Sequence, residues 1–279
     1  MKYVVAVSGG VDSMVLLHIL AKQSPHSLVS AHVDHGIRPD SSEDARLVRE
    51  VAKQYGILHE ETKLNLGQAT SEAVARRERY KWLDGIKRQH RAMAVATAHH
   101  QDDLLETVVL NLGRGTGWRG LASLRDNADR YRPLLGVSKA ALVSYALDHK
   151  LVWREDSTND DLRYSRNYLR HGVMPRMSVG QRRALAELSE KQQQLRQTIE
   201  QDLNELVRLV QTEQGLSRYW LIMLPEAVSL EVLRCLTHGQ YQPAQLVRLL
   251  RFVKTGRQGA VMQLGNGHNA LLTRQHVLL

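Results

Sequence analysis

The stretch Ser8 to Ser13, with the sequence SGGVDS, has the residue types of a phosphate-binding turn. Glycine lets the backbone approach an anion closely, and a helix that starts here would point its first N–H groups at the same place. The Ser8 and Ser13 hydroxyls would add donors. Asp12 would repel phosphate unless it holds a cation, so we assign it either to a magnesium ion or to the shape of the loop. An ordinary strand-to-helix turn is the alternative.

A second polar group, Asp34-His35-Gly36-Ile37-Arg38, follows another apolar run. Arg38 could contact phosphate, and Asp34 could bind a metal ion or the nucleotide. The alternative is a turn in which these two side chains pair with each other.

Carboxylates concentrate in the stretch AHHQDDLLE, which holds Asp102, Asp103 and Glu106. On a helix, positions 102 and 106, or 103 and 106, project from one face. Such a face could bind an amine and accept a proton from it. Helix capping is the alternative, because acidic residues three positions apart are also a capping pattern. His99 and His100 could bind a metal ion with Asp102, but adjacent histidines seldom point the same way, which favours lining or core roles.

Basic residues recur at helical spacing at Arg163, Arg166 and Arg170, with Asn167 between them. They would form one stripe that could contact phosphates, unless the stripe only solubilises a surface. Arg114 lies in the glycine-rich segment GRGTG, which would let its guanidinium reach an anionic intermediate or would simply be a flexible loop. Arg76, Arg77 and Arg79 beside Tyr80 form a charged face, and such faces are usually solvated. Unstacked bases could stack on aromatic residues, although each of these is more often part of a core: Trp118, Trp153, Tyr164 and Tyr168.

Two common nucleotide-binding patterns are not supported. The sequence lacks GxxxxGK followed by Ser or Thr, and with it the lysine of a standard P-loop. Gly115-x-Gly117-x-x-Gly120 matches the dinucleotide fingerprint by letter, but it follows the helical run LLETVVLNL instead of a strand. We therefore expect the phosphate site at SGGVDS.

These groups need a scaffold that brings them together. Apolar runs at 3–7, 28–33 and 93–96 are typical of strands buried on both faces, and helical patterns at 14–23, 42–55 and 71–89 alternate with them. Alternating strands and helices predict an α/β fold with a parallel sheet, in which ligands bind beyond the carboxyl ends of the strands. SGGVDS, DHGIR and AHHQDD all fall at such ends.

The rest of the chain predicts a second, smaller unit. Residues 181–214 contain no proline or glycine and carry one apolar helical stripe, which Gly215 closes. An unbroken helix of this length would span roughly 50 Å. We expect a catalytic domain at 1–180, a long helical connector at 181–215, and a small mixed, mostly α-helical domain at 216–279 with helices near 227–237 and 243–254.

Composition narrows the class of protein. The 279 residues include 38 Lys and Arg against 29 Asp and Glu, which favours a folded, basic protein with a polyanionic partner. Cys235 is the single cysteine, which excludes an internal disulfide framework and a zinc site built on cysteine pairs. No apolar run is long enough to span a bilayer, so we expect a cytoplasmic protein that does not bind membranes.

Several of these stretches together resemble a known family. SGGVDS after an apolar strand resembles the PP-loop of the N-type ATP pyrophosphatases, which have a Rossmann-like, adenine nucleotide alpha hydrolase-like fold. Within that group the chain is similar to the tRNA(Ile)-lysidine synthetase family over about residues 1–175. The motifs that carry the similarity are HVDHGIRPDSSEDA, ARRERY, ATAHHQDDLLETVVLNLGRGTG, RPLL and DSTNDDLRYSRNYLR. The remainder resembles the family loosely, and we expect it to lack the last all-β domain of longer members.

The resemblance implies a reaction. ATP with Mg²⁺ activates O2 of the cytidine at position 34 of an isoleucine tRNA with the anticodon CAU. Pyrophosphate leaves, the ε-amine of free lysine attacks C2, and AMP is released with formation of lysidine. The tRNA then reads AUA instead of AUG.

The resemblance also implies roles for residues. ATP would be bound by Ser8, Gly9, Gly10, Val11, Asp12 and Ser13; metal by Asp12 and Asp34; lysine by Asp102, Asp103 and Glu106; and tRNA by Arg163, Arg166, Asn167, Arg170 and residues 216–279. The catalytic set would be Asp12, Asp34, Arg38, Asp102, Asp103, Glu106 and Arg114.

Two alternatives and one question stay open. Another PP-loop enzyme could thiolate tRNA, although thiolation commonly needs reactive cysteines and Cys235 is far from every motif. A regulatory protein could bind ATP without turning it over, but the acidic cluster would then have no role. Homodimer formation is left open. Ile37 stands where the family usually has Leu, and Leu104-Leu105 where it often has Gln-Ala.

Overall fold

The computed structural model describes residues 1–34, 41–64, 72–122, 124–154, 165–265 and 267–279. Its N-terminal part is built on a parallel sheet with the strand order β3-β2-β1-β4-β5. The strands are β1 (Tyr3–Ala6), β2 (Leu28–Asp34), β3 (Leu58–Lys63), β4 (Ala94–Ala96) and β5 (Arg130–Tyr131). The predicted α/β fold with a parallel sheet is confirmed. The sheet also has two edge strands beyond the predicted ones, β3 on one side and β5 on the other.

Successive residues of the central strand β1 face two different cores. Val5 packs into one apolar cluster with helices from one side of the sheet, and Val4 packs into another with Leu83 and Ile86. This follows from the two-residue period of a strand, and it requires helices on both faces. The helices of this part are α1 (Val11–Gln23), α2 (Ser41–Gln54), α3 (Glu72–Gln89), α4 (Gln101–Gly113), α5 (Trp118–Leu121), α6 (Lys139–Asp148) and α7 (Ser165–Tyr168).

A turn of wider, π-type helix at Leu169–Val173 continues α7, and the long helix α8 (Val179–Val210) follows. The chain divides into two compact units, Met1–Gln193 and Gln194–Leu279. The boundary falls inside α8, within the connector expected at 181–215, so the C-terminal part of this helix belongs to the second unit. The physical reason is its apolar stripe, since Leu203 and Val210 are buried in the core of the second unit.

The second unit combines helices with an antiparallel sheet of order β6-β7-β10-β9-β8. Besides the end of α8 it contains β6 (Gln211–Thr212), β7 (Gly215–Ser217), α9 (Arg218–Met223), α10 (Glu226–Leu236), α11 (Pro243–Thr255), β8 (Val261–Gly265), β9 (His268–Leu272) and β10 (His276–Leu278). Both helices expected in this region are present as α10 and α11, and the expected mixed character is confirmed. Among the residues described, no helix combines the length and apolar composition needed to cross a bilayer.

Candidate functional site

The loop between β1 and α1 has a backbone that requires glycine. Gly9 has a φ of +91°, and its carbonyl accepts a hydrogen bond from the backbone N–H of Arg154 at 3.0 Å. A Cβ added to Gly9 would lie 3.4 Å from the Cβ of Asp44. L-residues rarely adopt this φ, so it is the backbone conformation that requires glycine at position 9.

The two serines of SGGVDS shape this loop from inside. The buried Ser13 hydroxyl accepts from the Ser8 N–H at 3.1 Å and donates to the Gly10 carbonyl at 2.9 Å. The Ser8 hydroxyl accepts from the Gly10 N–H at 3.4 Å. In the described part of the chain, no side chain caps α1 at Gly10. The first-turn amides of α1 therefore have no acceptor at the N-cap among the described side chains, and an anion could accept their hydrogen bonds.

Asp12, on the first turn of α1, is held by a cation from a distant helix. Both of its carboxylate oxygens accept from the Lys139 ammonium, at 2.7 and 2.8 Å. Lys139 was not a candidate from the sequence, because it lies 127 residues away in an ordinary helix start. Each carboxylate oxygen has a second lone pair, so a magnesium ion could bind Asp12 beside this ammonium.

Asp34 ends β2, next to the phosphate loop. Ala6 pairs with Ala31 in the parallel register, so Asp34 and Gly9 each lie three residues beyond a paired position. The Asp34 carboxylate is buried and lies 3.9 Å from the Lys63 ammonium. Asp34 and Asp12 are oxygen ligands of the kind that Mg²⁺ prefers, and one or two carboxylates are its usual protein complement. Among the described residues, no three His, Cys, Asp or Glu side chains are grouped for a metal ion.

Glu106 on α4 is the most enclosed carboxylate of the site. Glu106 is only 1% exposed and accepts from Arg166 Nε at 2.9 Å and from Arg170 Nε at 2.8 Å. Asp103 accepts from Arg166 and Arg170 at 3.3 Å each, and also from the His100 backbone N–H at 3.1 Å. Asp103 thus caps α4, as the capping alternative predicts, and it also forms ion pairs with two arginines.

Asp102 joins three elements. One of its oxygens accepts from the backbone N–H of Lys139 at 2.8 Å, and the other accepts from Arg182 on α8 at 3.1 Å. Arg182 also donates to the Met174 carbonyl at 2.6 Å. Like Lys139, Arg182 was not predicted, since its partner lies 80 residues earlier in the chain.

His100 lies among these carboxylates. Its Nε2 is 3.4 Å from Asp103 and 3.7 Å from Asp12, and its Nδ1 is 3.7 Å from Asp102. The ring is buried. His100 therefore contributes to the electrostatics of the cluster and lines it.

His99 makes a different hydrogen bond from His100. Its Nδ1 shares a hydrogen bond of 2.8 Å with the Thr97 hydroxyl. Burial is the main reason that the pKa of His99 is lowered to about 3; Asp103 opposes the shift, and nearby arginines, Arg132 first, add to it. The two adjacent histidines thus have different surroundings, as expected from their spacing.

The low pKa of His99 predicts a loss of stability in acid. Below pH 6.5 the unfolded chain binds a proton at this position that the folded chain excludes down to about pH 3. Stability should fall through this window, by about 2 kcal/mol between pH 7 and pH 5. Urea unfolding of His99→Gln at pH 7 and pH 5 should show a loss of unfolding free energy that is smaller than in the wild type by this amount. His26→Gln, at an exposed position, should show the full loss; equal pH dependence in all three proteins would contradict the assignment.

The other predicted residues lie in varied surroundings. Arg114 is exposed at the end of α4, and the Tyr168 ring is exposed. Trp153 packs against the core around α1, and Trp118 stacks under the Arg119 guanidinium, 4.5 Å from its ring centre. Asn167 lies in α7. The loop with Arg38, and the segment with Arg163 and Tyr164, are outside the described residues.

Tyr80 is surrounded by cations. The guanidiniums of Arg76, Arg79 and Arg130 lie 5.1, 5.5 and 4.7 Å from its ring centre. Arg130 also forms a bidentate pair with Asp84 at 2.7 and 2.9 Å. The ring faces are thus in contact with arginines of the protein itself, which argues against Tyr80 as a platform for a base.

The comparisons with known proteins agree with this geometry. Residues 1–177 match the PP-loop domain family. A tRNA(Ile)-lysidine synthase of Ruegeria pomeroyi is 31% identical over 297 residues, which cover 97% of this chain and 70% of that protein. The chain belongs to the tRNA(Ile)-lysidine synthase family. The resemblance seen in the sequence motifs is thereby confirmed.

Other family members align over the N-terminal part. The tRNA(Ile)-lysidine synthase of Hydrogenovibrio crunogenus is 37% identical over 189 residues, which are 63% of this chain and 44% of that protein. The chain thus spans less than half the length of this curated relative. Among solved structures, a U34-tRNA thiolase from Methanococcus maripaludis, determined with its 4Fe-4S cluster, matches with a TM-score of 0.50 at 15% identity, over 93% of this chain and 73% of that one. This likeness concerns the fold.

Proposed function

We propose that the protein is a tRNA(Ile)-lysidine synthetase. It uses ATP to adenylate O2 of the cytidine at position 34 in a CAU anticodon, with release of pyrophosphate. The ε-amine of lysine then attacks C2 of that base, the C2–O2 bond breaks, and AMP leaves with O2. One observation carries this proposal beyond family membership: Lys139 bonds Asp12 of the phosphate loop through its side chain and Asp102 of the carboxylate cluster through its backbone. A group activated at the loop is thus next to carboxylates suited to an amine.

The first step needs the triphosphate aligned and the leaving pyrophosphate stabilised. The amides at the start of α1 and the glycine backbone at Gly9 and Gly10 would bind the phosphates. Mg²⁺ held by Asp12 and Asp34 would neutralise charge on the leaving group. The in-line attack by the base oxygen then breaks the bond between the α and β phosphates.

Lysine would bind at Asp102, Asp103 and Glu106. Burial raises the pKa of Asp103, but His100 and Arg166 outweigh it, so the pKa lies below its usual value and the carboxylate stays charged. Glu106 and Asp103 already pair with Arg166 and Arg170. A substrate ammonium must therefore share these carboxylates with the two guanidiniums or displace them. The attacking amine must also lose a proton, for which the carboxylates are the acceptors at hand.

The tRNA would contact both units. Arg166 and Arg170 keep 29% and 34% of their side chains exposed, so they can meet phosphates while paired with Glu106. We also assign Asn167 and Arg163 to tRNA binding, the latter from its spacing in the sequence. In the second unit, residues 232–279 contain no acidic residue, and α11 exposes Arg248, Arg251 and Lys254 on one face. Such a face suits the phosphate backbone of RNA.

The decisive experiment supplies labelled lysine, ATP and Mg²⁺ with a transcript of isoleucine tRNA that has the anticodon CAU. We expect ATP-dependent transfer of lysine to this tRNA and little transfer to methionine tRNA with the same anticodon. Pyrophosphate release is measured in parallel, since a protein that only binds ATP releases none. Failure to transfer lysine to either tRNA would refute the proposal.

A further inference from the structure

The phosphate loop contains an acidic side chain and lacks a lysine of its own. Asp12 lies on the first turn of α1, where a bound polyphosphate would also lie. Carboxylate and phosphate repel each other, and inside a partly desolvated site this repulsion is substantial. A functional loop of this sequence therefore needs a cation beside Asp12.

Lys139 supplies that cation in a fixed position. It is the first residue of α6, whose N-cap Ser138 accepts from the Ala141 N–H. Its backbone N–H is tied to Asp102. The ammonium contacts both oxygens of Asp12 and remains 43% exposed, so it also has free surface toward solvent.

The packing of α6 on α1 keeps this arrangement in place. Leu142 and Ala146 of α6 belong to the same buried cluster as Leu17 of α1. Further along, the rings of His18 and Tyr145 lie 5.8 Å apart, edge to face. The approach of Lys139 to Asp12 is thus set by the contact between two helices.

We infer that Lys139 is the positioning residue of the nucleotide site: it cancels the charge of Asp12 and takes the place of the lysine that a standard P-loop carries in its own sequence. The inference rests on the proposed function for its ligand, ATP. The inference predicts an effect that an ion pair with a purely stabilising role would not produce. Removing the two partners one at a time must change ATP affinity in opposite directions, because one variant leaves a negative charge at the loop and the other a positive one.

The experiment measures the Kd of ATP by titration calorimetry, in EDTA and again in Mg²⁺. In EDTA, Lys139→Met should weaken binding about tenfold and Asp12→Asn should tighten it several-fold, while the double variant returns near the wild-type value. Lys139→Arg should bind like the wild type. Lys22→Met removes the same charge from the far end of α1 and should leave the Kd unchanged. Thermal melting of each variant verifies that it is folded.

The outcomes separate this inference from the proposed function. Shifts of Lys139→Met and Asp12→Asn in the same direction, or an unchanged Kd in Lys139→Met, would overturn the inference while leaving lysidine synthesis untouched. Opposite shifts without any transfer of lysine to tRNA would support the inference and refute the function. A wild-type protein that binds no ATP would refute both.

Discussion

Glu106→Ala is expected to lower the free energy of unfolding by about 3 kcal/mol and to abolish lysine transfer. The side chain is 1% exposed and holds both Arg166 and Arg170. Its removal leaves a cavity and two guanidiniums whose remaining carboxylate is Asp103. Because each arginine is about one third exposed, water compensates part of the loss, which places the effect at the low end for a broken buried pair.

Two comparison variants sharpen this prediction. Glu106→Gln keeps the volume and one acceptor, so it should lose about half as much stability, yet lysine transfer should fall at least a hundredfold if the charge binds the amine. Glu187→Ala breaks an exposed pair with Arg183 and should cost roughly 0.5 kcal/mol or less. Urea unfolding gives the stabilities. Full activity in folded Glu106→Gln would show that the carboxylate is only structural.

Gly9→Ala is expected to eliminate ATP-dependent pyrophosphate release and to destabilise the protein by about 1–2 kcal/mol. The new Cβ would be strained by the φ of +91°, and it would lie in van der Waals contact with Asp44. Relief of that strain moves the loop, and with it the amides that would bind phosphate. The measurement is pyrophosphate release with the isoleucine tRNA, together with the ATP Kd.

Gly85→Ala is the matched control for Gly9→Ala. Gly85 lies within α3, and a Cβ there would have no neighbour within 4 Å. Alanine favours helix over glycine by about 1 kcal/mol, so this variant should be fully active and slightly more stable. If Gly9→Ala instead behaved like Gly85→Ala, the loop would not be the phosphate site.

The central strands could be predicted because their residues are apolar on both faces. Edge strand β3, with the sequence LHEETK, is largely exposed and polar, so its residues lack the apolar run that marks β1 and β2. The short strand β5 consists of Arg130 and Tyr131, which alone give no periodic signal. The sequence therefore predicted the strands that helices cover on both faces of the sheet, and it did not predict the edge strands.

The acidic half of the site was also predictable, whereas most of its cationic half was not. Asp12, Asp102, Asp103 and Glu106 fall in local motifs at strand ends. Lys139 and Arg182 stand in unremarkable helix starts, and only the tertiary fold brings them to Asp12 and Asp102. Arg166 and Arg170 were visible as a helical stripe, but the stripe gave no sign that it faces Glu106.

The order of the paired residues along the chain bears on how the protein is made. During synthesis the carboxylates, all within the first 106 residues, leave the ribosome before any of the cations between residues 139 and 182. The nascent segment therefore holds carboxylates whose cationic partners have not yet been made, and the last of these partners, Arg182, emerges with the start of α8. A fragment ending before Arg166 retains Lys139 for Asp12 but lacks both arginines that pair with Glu106, so we expect Glu106 to stay hydrated in it.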